Sequence, residues 1–368
     1  MARVAVAMSG GVDSSVAAAL MVEAGHEVVG LTMNLWPTWV PHDEDGASAL
    51  CCGVGAVEDA RGVARRLGIR HYVLNMREAF EDAVIAPFAD EYARGRTPNP
   101  CVSCNRAIKF ALLLEKVSSL GMDYLATGHY ARIRRDGDRA VLLRGRDRRK
   151  DQSYVLYALT QPQLRRLLLP VGELTKEQTR SIARRWNLEV ADKPDSQEIC
   201  FVPRGHYSDV IGRFRPEALR PGPIVDTEGR RLGTHQGIGR YTVGQRRGLG
   251  VATGKPLYVV AIDPESNTVI VGSEDELMAS EVELEQVSWV GDPPARGAVR
   301  VTARVRHAGA DVPAWIHGWE RVKFDEPQRA ASPGQAVCLY DGDVVLGGGT
   351  IARVRTVGAQ RMRRAAAV

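Results

Sequence analysis

The first half of the chain alternates short apolar runs with amphipathic stretches. The apolar runs predict strands at residues 3–8, 26–33, 70–76 and 122–129. The stretches between them have helical spacing and predict helices at residues 14–25, 56–69 and 104–121. Thr175 and Gln178 have the spacing of a capping box, so a further helix is predicted to begin there. Strands and helices that alternate in this way predict an α/β fold with a doubly wound, mostly parallel sheet.

The pattern changes at about residue 205, where helical periodicity ends and glycine and proline become frequent. From about residue 281 short strand-like runs lie between turns, which predicts a small β-barrel. We therefore expect a doubly wound domain over residues 1–205, a small central domain over 206–280 and a C-terminal β-barrel domain over 281–358. Residues 359–368 have no core pattern and are predicted to form a disordered tail.

Composition narrows the class of protein. The 368 residues are too many for one ordinary core, and 44% hydrophobic with 25% charged residues is a normal globular balance. No apolar run is long enough to cross a bilayer, and the N-terminus lacks a signal-peptide cleavage site, so a cytoplasmic protein without a membrane partner is expected. Six cysteines are too few for a disulfide scaffold, so a close pair favours metal binding or catalysis.

A glycine-rich loop, AMSGGVDSS, joins the first predicted strand to the first predicted helix at residues 7–15. Gly10 and Gly11 allow a tight turn and close approach to a ligand, and the start of the helix favours an anion. The loop lacks both the lysine of G-x-x-x-x-G-K-[ST] and the spacing of G-x-G-x-x-G. It has the SGG-x-D-S signature of pyrophosphate-loop enzymes, which split ATP between the α and β phosphates and adenylate a substrate. Asp13 is a natural partner for a Mg²⁺ ion that bridges phosphates.

Three cysteines from two stretches favour a shared reactive site. Cys101 and Cys104, in NPCVSCN, lie in an irregular stretch at the start of a predicted helix, where the helix dipole stabilises a thiolate. Cys200, in DSQEICF, lies near the end of the same predicted domain. Structural zinc remains an alternative, although the chain has no second C-x-x-C pair to complete four ligands.

Two further features are the remaining three cysteines and a stretch that is dense in basic residues. Cys338 lies in an apolar strand and is predicted to be a core residue, whereas packing and function are not separable for Cys51 and Cys52. The formal net charge is only +5, but residues 132–152 contain eight arginines and Lys150. This basic stretch is either a solvated hairpin or a surface that follows phosphates.

Together these residues resemble the tRNA-specific 2-thiouridylases (the MnmA family). The resemblance extends over nearly the whole chain through MSGGVDSSV, GRTPNP, CNRAIKF, YLATGHYA, KDQSYVLY, PVGELTK, DSQEICF, TVGQRRGLG, FDEP and LGGGTI. It implies an adenine nucleotide alpha hydrolase-like first domain. It also implies ATP-dependent 2-thiolation of the wobble uridine of tRNA, with ATP converted to AMP and diphosphate. In this reaction adenylation turns the uracil C2 oxygen into a leaving group, which a sulfur nucleophile displaces.

The resemblance also assigns the cysteines. It implies that Cys200 receives a persulfide from an upstream sulfur donor, a cysteine desulfurase or relay protein. Cys104 would be the nucleophile that forms a transient disulfide with Cys200. Cys101 departs from the family pattern, because many members have an aspartate there. Cys101, Cys104 and Cys200 would then be able to hold a [4Fe–4S] cluster with one open iron, or Cys101 is a spare thiol.

Nucleotide and tRNA contacts follow from the same resemblance. The implied ATP contacts are Ala7, Met8, Ser9, Gly10, Gly11, Val12, Asp13, Ser14, Met33 and Gly128. The implied tRNA contacts are Asn99, Pro100, Cys101, His129, Lys150, Asp151, Gln152, Arg306, His307 and Gln335. Because KDQ (150–152) ends the basic stretch, the coincidence favours a phosphate-binding surface. For His129 the alternative is a histidine that caps a strand end.

Two other functions are compatible with parts of this pattern. Pyrophosphate-loop enzymes also include ATP-dependent amide or amidine synthetases, which would need a nitrogen source but neither Cys104 nor Cys200. A non-catalytic RNA-binding protein with a vestigial nucleotide site is the second alternative. The intact loop, cysteines and basic stretch favour the thiolating enzyme over both. The pattern does not identify the sulfur donor, the accepted tRNAs or the oligomeric state.

Overall fold

The computed structural model describes residues 1–39, 54–195, 199–202, 207–251, 254–307 and 309–357. The chain divides into two compact units. The first comprises Met1–Val84, Cys101–Gly205 and Asp343–Val345, and the second comprises Ile85–Pro100, His206–Gly342 and Leu346–Val368. The predicted tail at 359–368 lies outside the described residues, as do Cys51 and Cys52, for which packing and function were left open.

The first unit contains a parallel sheet of five strands in the order β3-β2-β1-β4-β7. These strands are β1 (Arg3–Ala7), β2 (Glu27–Asn34), β3 (Arg70–Asn75), β4 (Tyr124–Thr127) and β7 (Leu167–Leu168). The α-helices are α1 (Val12–Glu23), α2 (Val54–Leu67), α3 (Arg77–Phe80), α5 (Pro100–Cys104), α6 (Leu114–Ser119), α7 (Gln161–Arg165) and α8 (Lys176–Arg185). Two π-helical segments, Glu81–Ile85 and Asn105–Leu113, follow α3 and α5, and short 3-10 segments lie at Ser153–Val155, Pro170–Glu173 and Glu189–Asp192.

Strand β1 is the centre of this sheet. Val4, Ala5 and Val6 are all fully buried, so both faces of the strand are covered, as in a doubly wound fold. The chain passes from β1 outward to β2 and β3, and then returns to β4 on the other side of β1. The carboxyl ends of β1 and β4 therefore flank the point where the strand order reverses, which is where ligands bind in such sheets. The predicted doubly wound sheet is confirmed.

The basic stretch forms an antiparallel hairpin of β5 (Ala131–Asp136) and β6 (Arg139–Arg144) in the same unit. Leu143 of β6 pairs with Val344. Just beyond the hairpin, the capping box predicted at Thr175 and Gln178 is present at the start of α8. The Thr175 hydroxyl accepts a hydrogen bond from the Gln178 amide at 3.2 Å, and the Gln178 side chain accepts one from the Thr175 amide at 2.8 Å.

The second unit contains two sheets and helices α4 (Ala86–Ala93) and α9 (Tyr207–Phe214). The smaller sheet has the order β10-β11-β8-β9, with β8 (Gly222–Asp226), β9 (Arg231–His235), β10 (Tyr258–Asp263) and β11 (Thr268–Gly272). The barrel strands are β12 (Met278–Trp289), β13 (Ala298–Arg304), β14 (Val312–His317), β15 (Arg321–Arg329), β16 (Ala336–Asp341) and β17 (Val344–Thr356). Because β12 pairs antiparallel with both β15 and β17, the six strands close, and the predicted C-terminal barrel is confirmed. Short 3-10 segments lie at Pro216–Leu219, Ile238–Arg240 and Glu274–Leu277.

Helix α9 corrects one expectation, because helical periodicity was predicted to end at about residue 205. Tyr207, Val210, Ile211 and Phe214 recur at helical spacing, and Val210 and Ile211 are fully buried. The Tyr207 ring lies 5.0 Å from that of Tyr92 on α4. The frequent glycines and prolines that follow obscured these two turns of helix.

The helix predicted at 104–121 also begins earlier, at Pro100. Cys101 and Cys104 are therefore helical and do not lie in an irregular stretch. Proline at the first helical position explains the start, because its missing N–H would have no partner there. The prediction for Cys338 is confirmed, since it is fully buried in β16. Among the described residues, no helix combines the length and apolarity needed to cross a membrane.

Candidate active site

The glycine-rich loop lies between β1 and α1, at the reversal of strand order. Its own hydroxyl groups hold its shape. The Ser14 hydroxyl accepts a hydrogen bond from the Ser9 amide at 3.1 Å and donates to the Gly11 carbonyl at 3.1 Å. The Ser15 hydroxyl donates to the same carbonyl at 2.8 Å. The amide groups of the first turn of α1 are thereby aimed at the space beyond the carboxyl ends of the strands.

Close backbone packing explains two of the site glycines. Gly10 has φ +69°, and a Cβ atom there would clash with the Ala56 carbonyl oxygen and lie 2.7 Å from Ala56 Cα. Gly128 follows β4, and a Cβ atom there would lie 2.5 Å from the Ser14 nitrogen and 2.6 Å from the Asp13 carbonyl carbon. Gly11 is different, because its φ of −98° is open to any residue and a Cβ atom would meet only Ser9 Oγ at 3.7 Å.

The other predicted nucleotide contacts surround this loop. Ala7 ends β1, Met8 and Val12 are buried beside it, and Met33 is half-buried near the carboxyl end of β2. Thr32, the neighbour of Met33, donates its hydroxyl to the Met8 carbonyl at 2.8 Å. The strands β1 and β2 are thus joined at the base of the loop.

Asp13, the predicted magnesium ligand, is held by a lysine that the sequence pattern did not reveal. Lys176 Nζ donates to both carboxylate oxygens of Asp13, at 2.7 and 2.9 Å. The Tyr130 hydroxyl lies 2.9 Å from Asp13 Oδ1 and 2.9 Å from the Thr179 hydroxyl. Burial and the negative charge of Asp13 raise the pKa of Tyr130, so this hydroxyl keeps its proton. Lys176 is buried at the first position of α8, just after the N-cap residue Thr175.

The same lysine contacts a second carboxylate. Lys176 Nζ lies 2.7 Å from Asp195 Oδ1, and Lys150 Nζ donates to Asp195 Oδ2 at 2.8 Å. Burial alone would raise the pKa of Asp195, but hydrogen bonds from Lys150 and Lys176 outweigh it and hold that pKa below its ordinary value. Asp195 is thus ionised at neutral pH. It contacts both Lys150 of the basic stretch and Lys176, which in turn contacts Asp13 of the glycine-rich loop, called the phosphate loop below.

The predicted reactive cysteines lie in two segments of the first unit. Cys101 is exposed in the first turn of α5, Cys104 is buried at its end, and Cys200 is half-buried. The helix with Cys104 is fixed by Asn105, whose side-chain amide donates to the Val155 carbonyl at 3.0 Å. The segment with Cys200 is fixed by Phe201, whose ring packs edge-on against Phe80 at 5.7 Å. Among the described cysteines, none is in a disulfide.

Comparison with known proteins gives the family. Models of a tRNA methyl transferase HUP domain, a tRNA methyl transferase PRC-barrel domain and an aminomethyltransferase β-barrel domain match residues 2–204, 208–273 and 279–351. The tRNA-specific 2-thiouridylase MnmA of Carboxydothermus hydrogenoformans is 54% identical over 358 residues, which are 95% of this chain and 97% of that one. That of Moorella thermoacetica is 53% identical over 362 residues, 96% of this chain and 100% of that one.

This chain belongs to the tRNA-specific 2-thiouridylase family. A third member of the family, from Acetivibrio thermocellus, is 49% identical over 359 residues, with 95% of this chain and 99% of that one covered. The resemblance inferred from the motifs is thereby confirmed.

The structure does not fit the hypothesis that this chain holds a [4Fe–4S] cluster on its cysteines. Within the described ranges, no three histidine, cysteine, aspartate or glutamate side chains are grouped so that they would hold a metal ion. Cys101, Cys104 and Cys200 all belong to those ranges and do not form the ligand set that a [4Fe–4S] cluster requires. Magnesium makes a smaller demand, because one carboxylate with substrate phosphates and water often suffices. Asp13 is the carboxylate of the loop for that role, but Lys176 donates to both of its oxygens, so a magnesium ion would have to displace this lysine.

His129, an expected tRNA contact, is buried after β4. Its Nδ1 lies 2.8 Å from the Thr127 hydroxyl, and its ring lies 5.6 Å from that of Phe110. Burial, and then the positive charge of Lys109, lower the pKa of His129 well below its usual value. The imidazole is therefore neutral at physiological pH, and it packs against the π-helical segment that follows Cys104.

The KDQ segment, also expected to contact tRNA, makes contacts within the first unit. Asp151 is buried, and its carboxylate accepts hydrogen bonds from the Gly145 amide at 2.9 Å and the Ser153 amide at 3.1 Å. The Gln152 side chain accepts one from the Tyr130 amide at 3.0 Å, and the Gln152 amide donates to the Tyr130 carbonyl at 2.8 Å. These contacts fix the turn that follows the β5–β6 hairpin.

The basic stretch itself is largely paired within the first unit. Arg132 reaches Asp343 at 2.6 Å, and Arg148 pairs with the same carboxylate. Arg149 pairs with Glu177 at 3.0 Å, and Arg144 is buried 3.7 Å from Asp151. These four arginines are therefore paired with carboxylates of the first unit.

The remaining expected tRNA contacts lie in the second unit. Gln335 donates its side-chain amide to the Thr97 carbonyl at 3.0 Å, and Arg306 donates to the Arg329 carbonyl. His307 is exposed in the turn after β13, and Asn99 and Pro100 lead into α5. In these positions the side chains of Gln335 and Arg306 help to fix the backbone of their own unit.

Sequence reasoning did not single out Lys176, Asp195 or Tyr130. The only signal available was their presence in motifs of the family resemblance, because Lys176 ends PVGELTK, Asp195 begins DSQEICF and Tyr130 lies in YLATGHYA. Their contacts with Asp13 and with each other depend on the order of strands in the sheet, which the motifs do not specify.

Proposed function

We propose that this chain catalyses ATP-dependent 2-thiolation of the wobble uridine of tRNA, with ATP converted to AMP and diphosphate. Family membership supports a tRNA-thiolating enzyme. The mechanism rests on one observation: charged contacts connect the phosphate loop to the part of the chain just before Cys200. Asp13 of the loop contacts Lys176, and Lys176 contacts Asp195, five residues before Cys200.

The phosphate loop is the proposed ATP site. The first-turn amides of α1 present donors to an anionic phosphate, and the backbone at Gly11 is unobstructed by a side chain. Lys176, beside Asp13, supplies a cation within reach of the same phosphates. Mg²⁺, when bound, neutralises phosphate charge, and Asp13 is the side chain that would ligate it.

The thiolation step follows from the proposed roles of the cysteines. The uridine C2 oxygen attacks the α phosphorus of ATP, so diphosphate leaves and an adenylated uracil forms. The terminal sulfur of a persulfide on Cys200 attacks C2, and AMP leaves with the oxygen. Cys104 then attacks the Cys200 sulfur, which leaves the transferred sulfur on C2 and forms a disulfide. A cellular dithiol reduces this disulfide with two electrons, and an upstream sulfur donor reloads Cys200.

Chain length supports a short path between ATP and sulfur. Five residues span at most about 18 Å when fully extended, so Cys200 cannot lie farther than that from Asp195 along the chain. Lys193 strengthens the link, because its Nζ lies 3.4 Å from the Gly10 carbonyl and 2.5 Å from Asp59. Cys104 immediately precedes the π-helical segment whose Phe110 packs against His129. His129 follows Gly128, which packs against Asp13 and Ser14 of the glycine-rich loop.

The tRNA is the proposed macromolecular substrate. A wobble base lies in a single-stranded anticodon loop, so it can be splayed out of its stack and enter a protein pocket. Arg134, exposed on β5, is a candidate for phosphate contact, and binding through such residues weakens as salt rises. The contacts expected at Asn99, Pro100, Cys101, His129, Lys150, Asp151, Gln152, Arg306, His307 and Gln335 remain part of this proposal.

Replacement of Cys200 by serine tests the proposed function. The wild type, with ATP, Mg²⁺, a persulfide donor and tRNA, is expected to form 2-thiouridine, which nucleoside mass spectrometry detects. Cys200→Ser is expected to lose the product while it retains tRNA binding. Cys338→Ala, which removes a thiol from the barrel core, is the matched control and is expected to keep activity.

The same assay separates the alternatives. An amide or amidine synthetase would consume ATP with a nitrogen source and would be insensitive to Cys200→Ser. A non-catalytic RNA-binding protein would bind tRNA and form no product as the wild type. Product formation by iron-free protein would favour the persulfide route over a cluster, and loss of activity on removal of iron would favour the cluster.

A further inference from the structure

Two thiols in α5 are three residues apart and differ in their access to solvent. Cys101 is exposed near the start of the helix, whereas Cys104 is 8% exposed at its end. The backbone is helical at both residues, with φ −62° and ψ −45° at Cys104. Residues at this spacing in an α-helix have Cα atoms about 5 Å apart, which is within the range of a disulfide. The pair therefore combines a thiol that external reagents reach with one that they do not.

A disulfide between these two thiols requires only a small local change. At this spacing the Cβ atoms in an α-helix are about 5–6 Å apart, and a disulfide needs about 4 Å. Turns of 3-10 helix are frequent at the ends of α-helices, and they bring residues three apart into line along the axis. Because α5 begins at Pro100, Cys101 lies in such an end turn. A slight tightening of this turn is enough to bring the two sulfur atoms together.

We propose that Cys101 is a further catalytic residue, which resolves the disulfide between Cys104 and Cys200. The inference rests on the persulfide route of the proposed function, because that disulfide is its starting point. The Cys101 thiolate attacks Cys104 Sγ, the bond to Cys200 breaks, and Cys200 leaves as a thiolate. One disulfide replaces another, so this exchange needs no oxidant or reductant, and the proton of Cys101 passes to water. Cys200 is then ready to receive the next sulfur.

Reduction of the enzyme then takes place at the exposed end of α5. One thiolate of an external dithiol attacks Cys101 Sγ, and Cys104 leaves as a thiolate. The second thiol of the reagent displaces Cys101, so the dithiol supplies two electrons and ends as a disulfide. Access to the attacked sulfur limits the rate of such exchange. Cys101 is exposed, whereas Cys104 is buried and Cys200 is half-buried, so a protein dithiol meets Cys101 most readily.

Disulfide mapping after a single turnover tests the exchange. Iron-free protein is loaded by a persulfide donor, reacted with ATP, Mg²⁺ and tRNA without dithiol, then acidified, alkylated and digested with trypsin. Trypsin leaves Cys101 and Cys104 together on peptide 97–106 and Cys200 on peptide 186–204. The wild type is expected to yield peptide 97–106 unalkylated and lighter by two hydrogen atoms, with Cys200 alkylated. Cys101→Ser is expected to yield the two peptides cross-linked, in an amount that is expressed per 2-thiouridine formed.

Turnover with two reductants tests the role of exposure. Because Cys101 is also an expected tRNA contact, each variant is compared with itself, with a protein dithiol of the thioredoxin type and with dithiothreitol. Relative to its own rate with dithiothreitol, Cys101→Ser is expected to lose turnover with the protein dithiol, whereas the wild type keeps it.

A double variant is the positional control. Cys101→Ser combined with Ser103→Cys returns a thiol to the same helix, but neighbouring residues point about 100° apart around the axis. A thiol at position 103 therefore faces away from Cys104, and the double variant is expected to behave as Cys101→Ser does.

The outcomes separate this inference from the proposed function. A wild type that forms 2-thiouridine and accumulates the Cys104–Cys200 disulfide would overturn the role of Cys101 and leave thiolation intact. Equal ratios of the two turnover rates in the wild type and Cys101→Ser would do the same, as would restoration by the double variant. A wild type that forms neither 2-thiouridine nor a disulfide would overturn both.

Discussion

The two glycines of the phosphate loop allow a sharp test of the site, because the structure assigns them different tasks. Gly10 has φ +69° and packs against Ala56 of α2, whereas Gly11 has φ −98° and has room for a Cβ atom. Replacement of each by alanine adds the same methyl group at neighbouring positions. We expect Gly10→Ala to damage the fold and Gly11→Ala to damage the ATP site alone.

The magnitudes follow from the local geometry. An alanine at position 10 costs about 1–2 kcal/mol for its left-handed backbone and about 1–3 kcal/mol for overpacking against Ala56. Gly10→Ala is therefore expected to lower the free energy of unfolding by about 2–5 kcal/mol. Gly11→Ala affects only a helix N-cap, so its cost is expected to stay within about 1 kcal/mol.

Urea denaturation and steady-state kinetics measure the two effects. If phosphate approaches the backbone at Gly11, the added methyl group displaces it by about 1 Å, which lowers the kcat/KM for ATP by about 100-fold. A Gly11→Ala variant with unchanged kcat/KM would refute the assignment of this loop to phosphate. A Gly10→Ala variant as stable as the wild type would refute the proposed packing against Ala56.

Two further predictions concern buried ionisable groups. Because the pKa of His129 is lowered, the unfolded state binds more protons, so its contribution to stability is present above about pH 6.5 and is lost as pH falls. His129→Asn should flatten the loss of unfolding free energy between pH 7 and 5 by up to about 1.4 kcal/mol per pH unit, and parallel urea-denaturation profiles would contradict this. Asp151→Asn leaves Arg144 buried opposite a neutral side chain and should cost about 3 kcal/mol. The same substitution at exposed Asp138 is the control, and equal losses in urea would contradict a structural role for Asp151.

Local patterns predicted the parts of this fold that depend on neighbouring residues. The apolar runs predicted strands β1 to β4, and Thr175 with Gln178 predicted the start of α8, because periodicity and capping act over a few residues. Helix α9 was missed because only two turns of helical spacing precede the first of many glycines and prolines. The early start of α5 was missed because proline in RTPNP was taken as part of an irregular stretch.

The contacts of the site required the sheet itself. Asp13 and Lys176 are 163 residues apart, and they meet because α1 and α8 pack against each other in one core. A motif identifies each residue by its neighbours in sequence and does not indicate which distant charge it will contact. The site glycines show the same limit, because only the structure distinguishes the packing of Gly10 and Gly128 from the open position at Gly11.

The basic stretch shows why the density of charge along a sequence does not measure the charge available to RNA. Arg132 and Arg148 share Asp343, Arg144 lies buried beside Asp151, and Lys150 contacts Asp195. A phosphate that binds one of these cations must first compete with a carboxylate held by the fold, which lowers the net gain from each contact. The paired cations therefore stabilise the hairpin and its neighbouring turn, and only their remaining attraction is available to RNA. Lys150 is subject to the same competition, because Asp195 holds its ammonium group at 2.8 Å.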